Sequence, residues 1–339
     1  MSAEAAAGIK RIAVIGAGSW GTALAMVAAR NHHHVTLWAR EPEVASSVNQ
    51  GRRNPLYLSD FNLENIRATT AIDDALEGSD FALLVVPSHA MRESISRLRP
   101  FLNSNIVLVS AAKGVENSTL MRMEEVVVDV LRERFDPRYV ALSGPSFARE
   151  VAKGDPTAIV AASRDRESSE LVQRSLSSSV FRVYTNNDVV GVELGGAVKN
   201  VVAIAAGVVR GLGFGTNAVA AIITRGLAEM TRLALAQGAR VETMAGLAGL
   251  GDLVLTCTGE LSRNRHVGIE LGRGRKLEEI LGGMREVAEG VKTTRSIYEL
   301  GRRLQIEMPI TESIHALLYE DKPALDAANE LMGRPLKRE

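Results

Sequence analysis

Residues 11–31 read RIAVIGAGSWGTALAMVAARN. RIAVIG (11–16) is a short β-branched run that closes on glycine, the pattern of a buried strand. SWGTALAMVAARN (19–31) has helical spacing of its apolar residues. Between them stands Gly16-Ala17-Gly18-Ser19-Trp20-Gly21, a GxGxxG turn with a strand before it and a helix after it. In that context Gly16 permits the tight turn, Gly18 lets backbone approach a pyrophosphate, and Gly21 lets helix and strand pack closely. The following helix N-terminus offers amide donors and the positive end of its dipole to the phosphates. A glycine turn that binds nothing is the competing reading, and the flanking strand and helix weigh against it.

The pattern repeats downstream. HVTLWA (34–39), IRATT (66–70), DFALLVVP (80–87), NIVLVSAA (105–112) and YVALSG (139–144) are further apolar runs, with helical segments between most of them. Strands that are apolar throughout are expected where helices cover both faces of a sheet. The alternation predicts an α/β fold with an N-terminal Rossmann-like, doubly wound, mostly parallel sheet. TAIVAAS (157–163) and FRVYTN (181–186) extend the same sheet. Near residue 187 the texture changes to alanine- and leucine-rich helical segments over 189–210, 216–237, 261–271, 276–281, 291–304 and 311–332. We therefore expect a loose tail over 1–8, a dinucleotide-binding Rossmann domain over 9–187, and an all-α substrate-binding and catalytic domain over 188–339.

Composition narrows the class. With 46% hydrophobic and 24% charged residues over 339 positions, the chain reads as globular. Forty basic residues balance forty acidic ones, which argues against nucleic acid or a membrane surface as partner. Cys257 is the one cysteine, so no internal disulfide is possible and a reducing compartment, the cytoplasm, is expected. No signal peptide and no uninterrupted membrane-spanning run is read from the sequence.

The second strand ends LWAR, placing Arg40 where an acid usually holds the ribose 2′-hydroxyl. A guanidinium suits a 2′-phosphate, so NADPH/NADP is expected to be preferred, while Glu41 keeps NADH/NAD in play. The run His32-His33-His34 reads as a polar turn, since adjacent loop histidines point apart and no carboxylate cluster joins them; no metal is expected. Ligands of open α/β sheets bind beyond the carboxyl ends of strands. There stand Lys113, after NIVLVSAA, and Ser143-Gly144-Pro145-Ser146-Phe147-Ala148, with which the strand YVALSG ends.

In the helical half, GVELGGAVKNVVAIAA (191–206) sets Lys199 and Asn200 in an apolar helix. An unpartnered amine there would cost several kcal/mol, roughly. GLAGLGDLVLTCTG (246–259) carries a lone Asp252 and then Thr256. ELSRNRHVG (260–268) places Ser262, Arg263 and Asn264 at a helix start, a natural phosphate cradle. Cys257 has no histidine near it in sequence and reads as a packed residue.

GAGSWGTALA, AAKGVE, SGPSFAREV, VELGGAVKNVVAIAAG, GLGDLVLTC, SRNRHVG and VAEGVKTT, in this order over about 10–330, resemble the motif series of the bacterial NAD(P)-dependent glycerol-3-phosphate dehydrogenases. The resemblance implies reversible reduction of dihydroxyacetone phosphate to sn-glycerol 3-phosphate, which supplies the glycerol backbone for phospholipid synthesis, by a homodimer. It makes Lys199 the catalytic lysine. Lys113, Gly144, Ser146, Asp252, Ser262, Arg263 and Asn264 then match substrate-contacting positions. Ser19, Trp20, Arg40, Lys113, Ala148, Arg263, Val287 and Glu289 match dinucleotide-binding positions, beside Gly16, Gly18 and Gly21. Asp252 and Lys113 are expected to assist Lys199, with Asn200 and Thr256 lining the site. A related dehydrogenase acting on a β-hydroxy acid and a non-catalytic NADPH sensor are the rivals. The SRN cradle argues against the first, and Lys113, Lys199 and Asp252 argue against the second.

Overall fold

The computed structural model describes residues 8–284 and 288–336. Eight strands form one sheet: β1 (Arg11–Ile15), β2 (His34–Trp38), β3 (Ile66–Thr69), β4 (Phe81–Leu84), β5 (Val107–Ser110), β6 (Arg138–Ser143), β7 (Thr157–Ala162) and β8 (Phe181–Asn186). Their order is β3-β2-β1-β4-β5-β6-β7-β8. Neighbours pair parallel except β6 and β7, which run antiparallel, with Leu142 opposite Ala161. Order therefore reverses at β1, which pairs with β2 on one side and β4 on the other. That reversal makes the crevice at which doubly wound sheets bind ligands.

Helices α1 (Ser19–Arg30), α2 (Pro42–Gly51), α3 (Ile72–Leu76), α4 (Met91–Leu98), α5 (Met123–Leu131), α6 (Ala148–Lys153) and α7 (Arg166–Leu176) connect the strands. Helices α1, α2, α6 and α7 share a core with the sheet that includes Val14, Leu24, Leu37, Phe81, Val109 and Val140, all buried, and α3, α4 and α5 bury Leu76, Ile95 and Val126. The α/β sheet expected from sequence is thus present, with each apolar run forming a strand.

The chain divides into two compact units. One contains residues up to Ala112 and Met123–Val189; the other contains Lys113–Arg122 and the chain from Val190 onward. The excursion 113–122 leaves the sheet after β5. It closes on itself through an antiparallel bridge between Val115 and Arg122. The Arg122 guanidinium then donates to Glu193 at 2.7 Å, both side chains nearly inaccessible. A buried ion pair of this kind is costly to break, which explains why a segment between two Rossmann elements belongs with the helices.

Beyond that excursion the second unit is built of helices: α8 (Val189–Gly211), α9 (Thr216–Ala236), α10 (Val241–Ala245), a π-turn (Leu247–Gly251), α11 (Asp252–Thr258), α12 (Arg263–Gly272), α13 (Leu277–Gly282), α14 (Glu289–Arg303), α15 (Pro309–Tyr319) and α16 (Ala324–Met332). α8 is its axis and is buried along nearly all of its length. Its hydropathy and length suffice to cross a bilayer, yet 94% of its apolar window lies inside the protein. Such a helix is the core of this unit. The helical segment expected over 311–332 is in fact two helices. Asp321 takes a positive φ of 53°, and Pro323 follows, which removes an amide donor and favours extended backbone before it. The expected tail lies outside the described residues, apart from Gly8.

Candidate functional site

In the Rossmann unit the glycine turn has the required shape. Gly16 has φ +118°, and a Cβ there would come within 2.4 Å of the Val85 carbonyl oxygen. A Cβ on Gly21 would strike the Gly16 carbonyl oxygen at 1.8 Å, so strand and helix pack backbone to backbone. Gly18, the N-cap of α1, has nothing within 4 Å of its Cβ position. No side chain caps α1 and no acid lies in its first turn. The turn is therefore open at Gly18, rigid on either side, and presents helix amides, the arrangement that fits a pyrophosphate. Asn54 holds it: this buried amide donates to the Ala17 carbonyl at 2.8 Å and to Thr22 Oγ1 at 2.9 Å. No sequence pattern marked Asn54, since it lies 37 residues from its partner.

Ser19 and Trp20 begin α1, Trp20 half-buried against the core. Arg40 follows β2 with its side chain 80% exposed, and its guanidinium donates to Glu41 at 2.8 Å and 2.9 Å. Gly144 has φ +141°, where a Cβ would press on Ile159 Cα at 2.9 Å. Ser146 Oγ donates back to the Gly144 carbonyl at 3.0 Å, which closes the turn after β6, and Ala148 starts α6. Of the histidine run, His33 is buried. Its Nδ1 accepts from the Lys10 amide at 3.1 Å and its Nε2 faces the Ser175 carbonyl at 2.9 Å. Burial lowers its pKa, so the ring is a neutral structural bridge, more than a polar turn.

In the helical unit, side chains far apart in sequence converge. Lys199 Nζ donates to Asp252 Oδ1 and, at 3.0 Å, to Thr256 Oγ1. Lys113 Nζ donates to the other Asp252 oxygen at 2.7 Å. One carboxylate thus bridges two amines, with Asp252 1% and Lys199 7% exposed in their side chains. Burial pushes the Lys199 ammonium down to about 7, against the upward pull of Asp252, and Lys113 adds to the lowering. Burial alone would raise the Asp252 carboxyl, but Lys113 and Lys199 outweigh it and hold the group below the usual carboxylate range. The result is an amine that burial brings to proton exchange near neutrality while one carboxylate holds it beside a second amine. Cys257 is buried and its thiol is pushed up to about 12 by burial, so it stays neutral.

A second network adjoins the first. Asn264 Nδ2 donates to Asn200 Oδ1 at 2.9 Å, and Asn264 Oδ1 accepts from the Gly290 amide at 3.0 Å. Asn264 is the second residue of α12, Asn200 follows Lys199 on α8, and Gly290 is the second residue of α14. Two helix N-termini therefore meet beside Lys199. Ser262 is the N-cap of α12, accepting from the Arg265 amide at 3.2 Å, and Arg263 is its first residue. Glu289 opens α14. Val287 lies outside the described residues. The excursion that delivers Lys113 and the π-turn before Asp252 are the parts that the sequence reading did not identify.

A dinucleotide turn at the switch point of a Rossmann sheet, and a lysine poised to exchange a proton near neutral pH, define the class: a nicotinamide-dependent oxidoreductase. Profiles of the NAD-dependent glycerol-3-phosphate dehydrogenase N-terminus and C-terminus match residues 11–169 and 188–329, and the chain belongs to that family. It is 57% identical to glycerol-3-phosphate dehydrogenase [NAD(P)+] of Koribacter versatilis, over 96% of this chain and 98% of that protein. The enzyme of the same name from Geobacter sulfurreducens is 55% identical, over 97% and 99%. The crystal structure of glycerol-3-phosphate dehydrogenase from Coxiella burnetii superposes with a TM-score of 0.91 at 40% identity, covering 96% of this chain and 99% of that one.

Proposed function

We propose that the chain catalyses reversible hydride transfer between NAD(P)H and dihydroxyacetone phosphate, giving sn-glycerol 3-phosphate for phospholipid synthesis. The observation that carries this reading is the Lys199–Asp252–Lys113 bridge, a buried proton donor of near-neutral pKa held by a carboxylate that it shares with a second amine. Gly16, Gly18, Ser19, Trp20, Gly21, Arg40 and Ala148 of the Rossmann unit, with Lys113, Arg263 and Glu289, would hold the dinucleotide. Bound NAD(P)H supplies the hydride. Negative charge then grows on the substrate carbonyl oxygen, which needs a proton and a cation at the same moment. Lys199 donates that proton in reduction and accepts it in oxidation. Asp252 orients Lys199 through Oδ1 and holds Lys113 through Oδ2. With both amines protonated, two cations against one carboxylate leave net positive charge for the oxyanion. Ser262, Arg263 and Asn264 at the N-terminus of α12 suit a phosphate dianion, with helix amides and a guanidinium together. Asn200 and Thr256 line the site, and Gly144 and Ser146 present backbone and hydroxyl groups to the substrate.

The test follows loss of NADPH and of NADH absorbance with dihydroxyacetone phosphate, and with β-keto acids as the comparison. Turnover of the triose phosphate is expected with both nucleotides, faster at low concentration with NADPH. Turnover of only the keto acids would overturn the substrate assignment. We also propose a homodimer located in the cytoplasm. Phe214, Leu250, Val254 and Leu261 are exposed apolar side chains of the helical unit that a second copy would cover, and Cys257 is buried as a free thiol. Sedimentation at micromolar concentration tests the dimer.

A further inference from the structure

Gly195 stands one helical turn before Lys199 on α8, so the two project from the same face. A Cβ built on Gly195 would come within 2.5 Å of the Ala248 carbonyl oxygen and 3.4 Å of Met244 Cε. Ala248 lies in the π-turn Leu247–Gly251, immediately before Asp252. In that turn the Gly251 amide donates to the Gly246 carbonyl, five residues back, at 3.0 Å. A π-turn inserts one residue into the helical ladder and so rotates everything after it. Gly249 is confined as tightly, since its Cβ would meet the Met244 carbonyl oxygen at 2.1 Å. At Gly195, then, α8 rests backbone to backbone on the turn that aims Asp252. One turn further along the same face, Lys199 reaches the carboxylate.

We infer that Gly195 is a positioning residue for the reaction proposed above. The close approach it permits between α8 and the π-turn sets the Lys199–Asp252 contact and, through it, the proton-transfer geometry. The inference rests on that functional reading, but it concerns residues that do not touch substrate. Its consequences are directional. The charged groups bearing on Lys199 are Asp252, which favours the ammonium, and Lys113, which opposes it; the Cys257 thiol nearby is neutral. A methyl at position 195 pushes the turn away and weakens the pull of Asp252, while burial persists. The amine then loses its proton at lower pH.

The experiment compares Gly195→Ala with Gly211→Ala in the full chain. Gly211 also packs backbone to backbone, its Cβ position 2.2 Å from the Ile269 carbonyl oxygen, but it lies 12 residues beyond Lys199, about 18 Å along the helix axis. Both variants are expected to melt at lower temperature. Only Gly195→Ala should move the Lys199 limb of the kcat/KM profile to lower pH. It should also cut kcat for reduction by up to about 10²-fold, the order that a ~1 Å misplacement costs, with NADPH affinity retained. Deletion of the exposed Leu250, which converts the π-turn to ordinary helix, gives a second route to the same shift should Gly195→Ala fold poorly. A carbon-13 NMR titration of protein labelled at lysine Cε, with the Lys199 signal assigned by Lys199→Arg, reads the amine without turnover. If the wild type fails to reduce the triose phosphate, the functional reading falls while this titration still tests the positioning. An unmoved Lys199 titration in Gly195→Ala and the Leu250 deletion, or an equal shift in Gly211→Ala, overturns the inference.

Discussion

Lys199 is the residue on which the chemistry turns, and its surroundings fix the pH behaviour. Its ammonium titrates near 7 because burial outweighs Asp252. Reduction consumes the protonated amine, so its rate should fall as pH rises through about 7. Oxidation needs the neutral amine and should fall as pH drops through the same value. Initial rates in both directions from pH 5 to 9 check the crossing. Asp252→Asn removes the one group that counters burial between two amines. We expect the Lys199 limb to move to lower pH and stability to drop by about 3–5 kcal/mol, the range for breaking a buried ion pair; urea unfolding measures the second. At the nucleotide end, Arg40 is exposed and paired with Glu41, so a 2′-phosphate would exchange one anionic partner for another. Arg40→Ala should raise the KM for NADPH about tenfold, consistent with the loss of a charge-assisted hydrogen bond, and leave that for NADH nearly unchanged. Lys199 was legible in the sequence because a charge inside an apolar helix demands a reason. Asp252 stood out as a lone acid in an apolar stretch, and the family resemblance made it an assistant of Lys199; its bridging of Lys199 and Lys113 was not legible, since it lies 53 and 139 residues from them.

Among the elements, α15 shows how a buried acid can serve structure. Glu229 on α9 is 2% exposed and accepts from the Ile310 amide at 2.6 Å and the Thr311 amide at 3.2 Å, capping α15 from outside the helix. Burial raises its carboxyl from 4.5 to about 7, against these hydrogen bonds. A raised carboxyl contributes stability below its unfolded pKa and loses it as pH climbs through the folded value. Wild-type stability should therefore fall between about pH 4.5 and 7 from this group. Glu229→Ala should remove that slope and cost about 1–3 kcal/mol by orphaning two amides, as thermal melts at pH 5 and 8 would show. The strands and the long helices were legible from periodicity. The segment 246–259 was not, because GLAGLG reads as loop while the structure builds a π-turn and then α11 from it. Its glycines are required by backbone contact, not by chain reversal, as the Gly249 clash shows. The break between α15 and α16 had a visible signal in Asp321-Lys322-Pro323, which the apolar spacing on either side masked.

At the scale of the molecule, the two units are not consecutive in the chain. Residues 113–122 leave the Rossmann sequence to supply Lys113 and Arg122 to the helical unit. A fragment spanning 190–339 would retain every helix after α8 begins, yet leave Glu193 and Asp252 without these partners. We expect it to be unfolded or strongly destabilised, and appending residues 113–122 to restore part of its helicity by circular dichroism. A fragment that melts like the whole chain would show the excursion to be dispensable. The change of texture near 187 was legible because strands stop there. The excursion was not, since ten residues between two Rossmann elements carry no compositional mark. The antiparallel sense of β7 was equally hidden: its apolar pattern fits either direction, and only the pairing of Leu142 with Ala161 decides it.

The central claim is that Lys199 passes the proton, and Lys199→Ala tests it most directly. Turnover of dihydroxyacetone phosphate with NADPH should fall by about 10²–10⁴, the usual weight of a positioned acid, while NADPH binding, read by nucleotide fluorescence, stays near that of the wild type. A variant that turns over within a few-fold of the wild type would contradict the account.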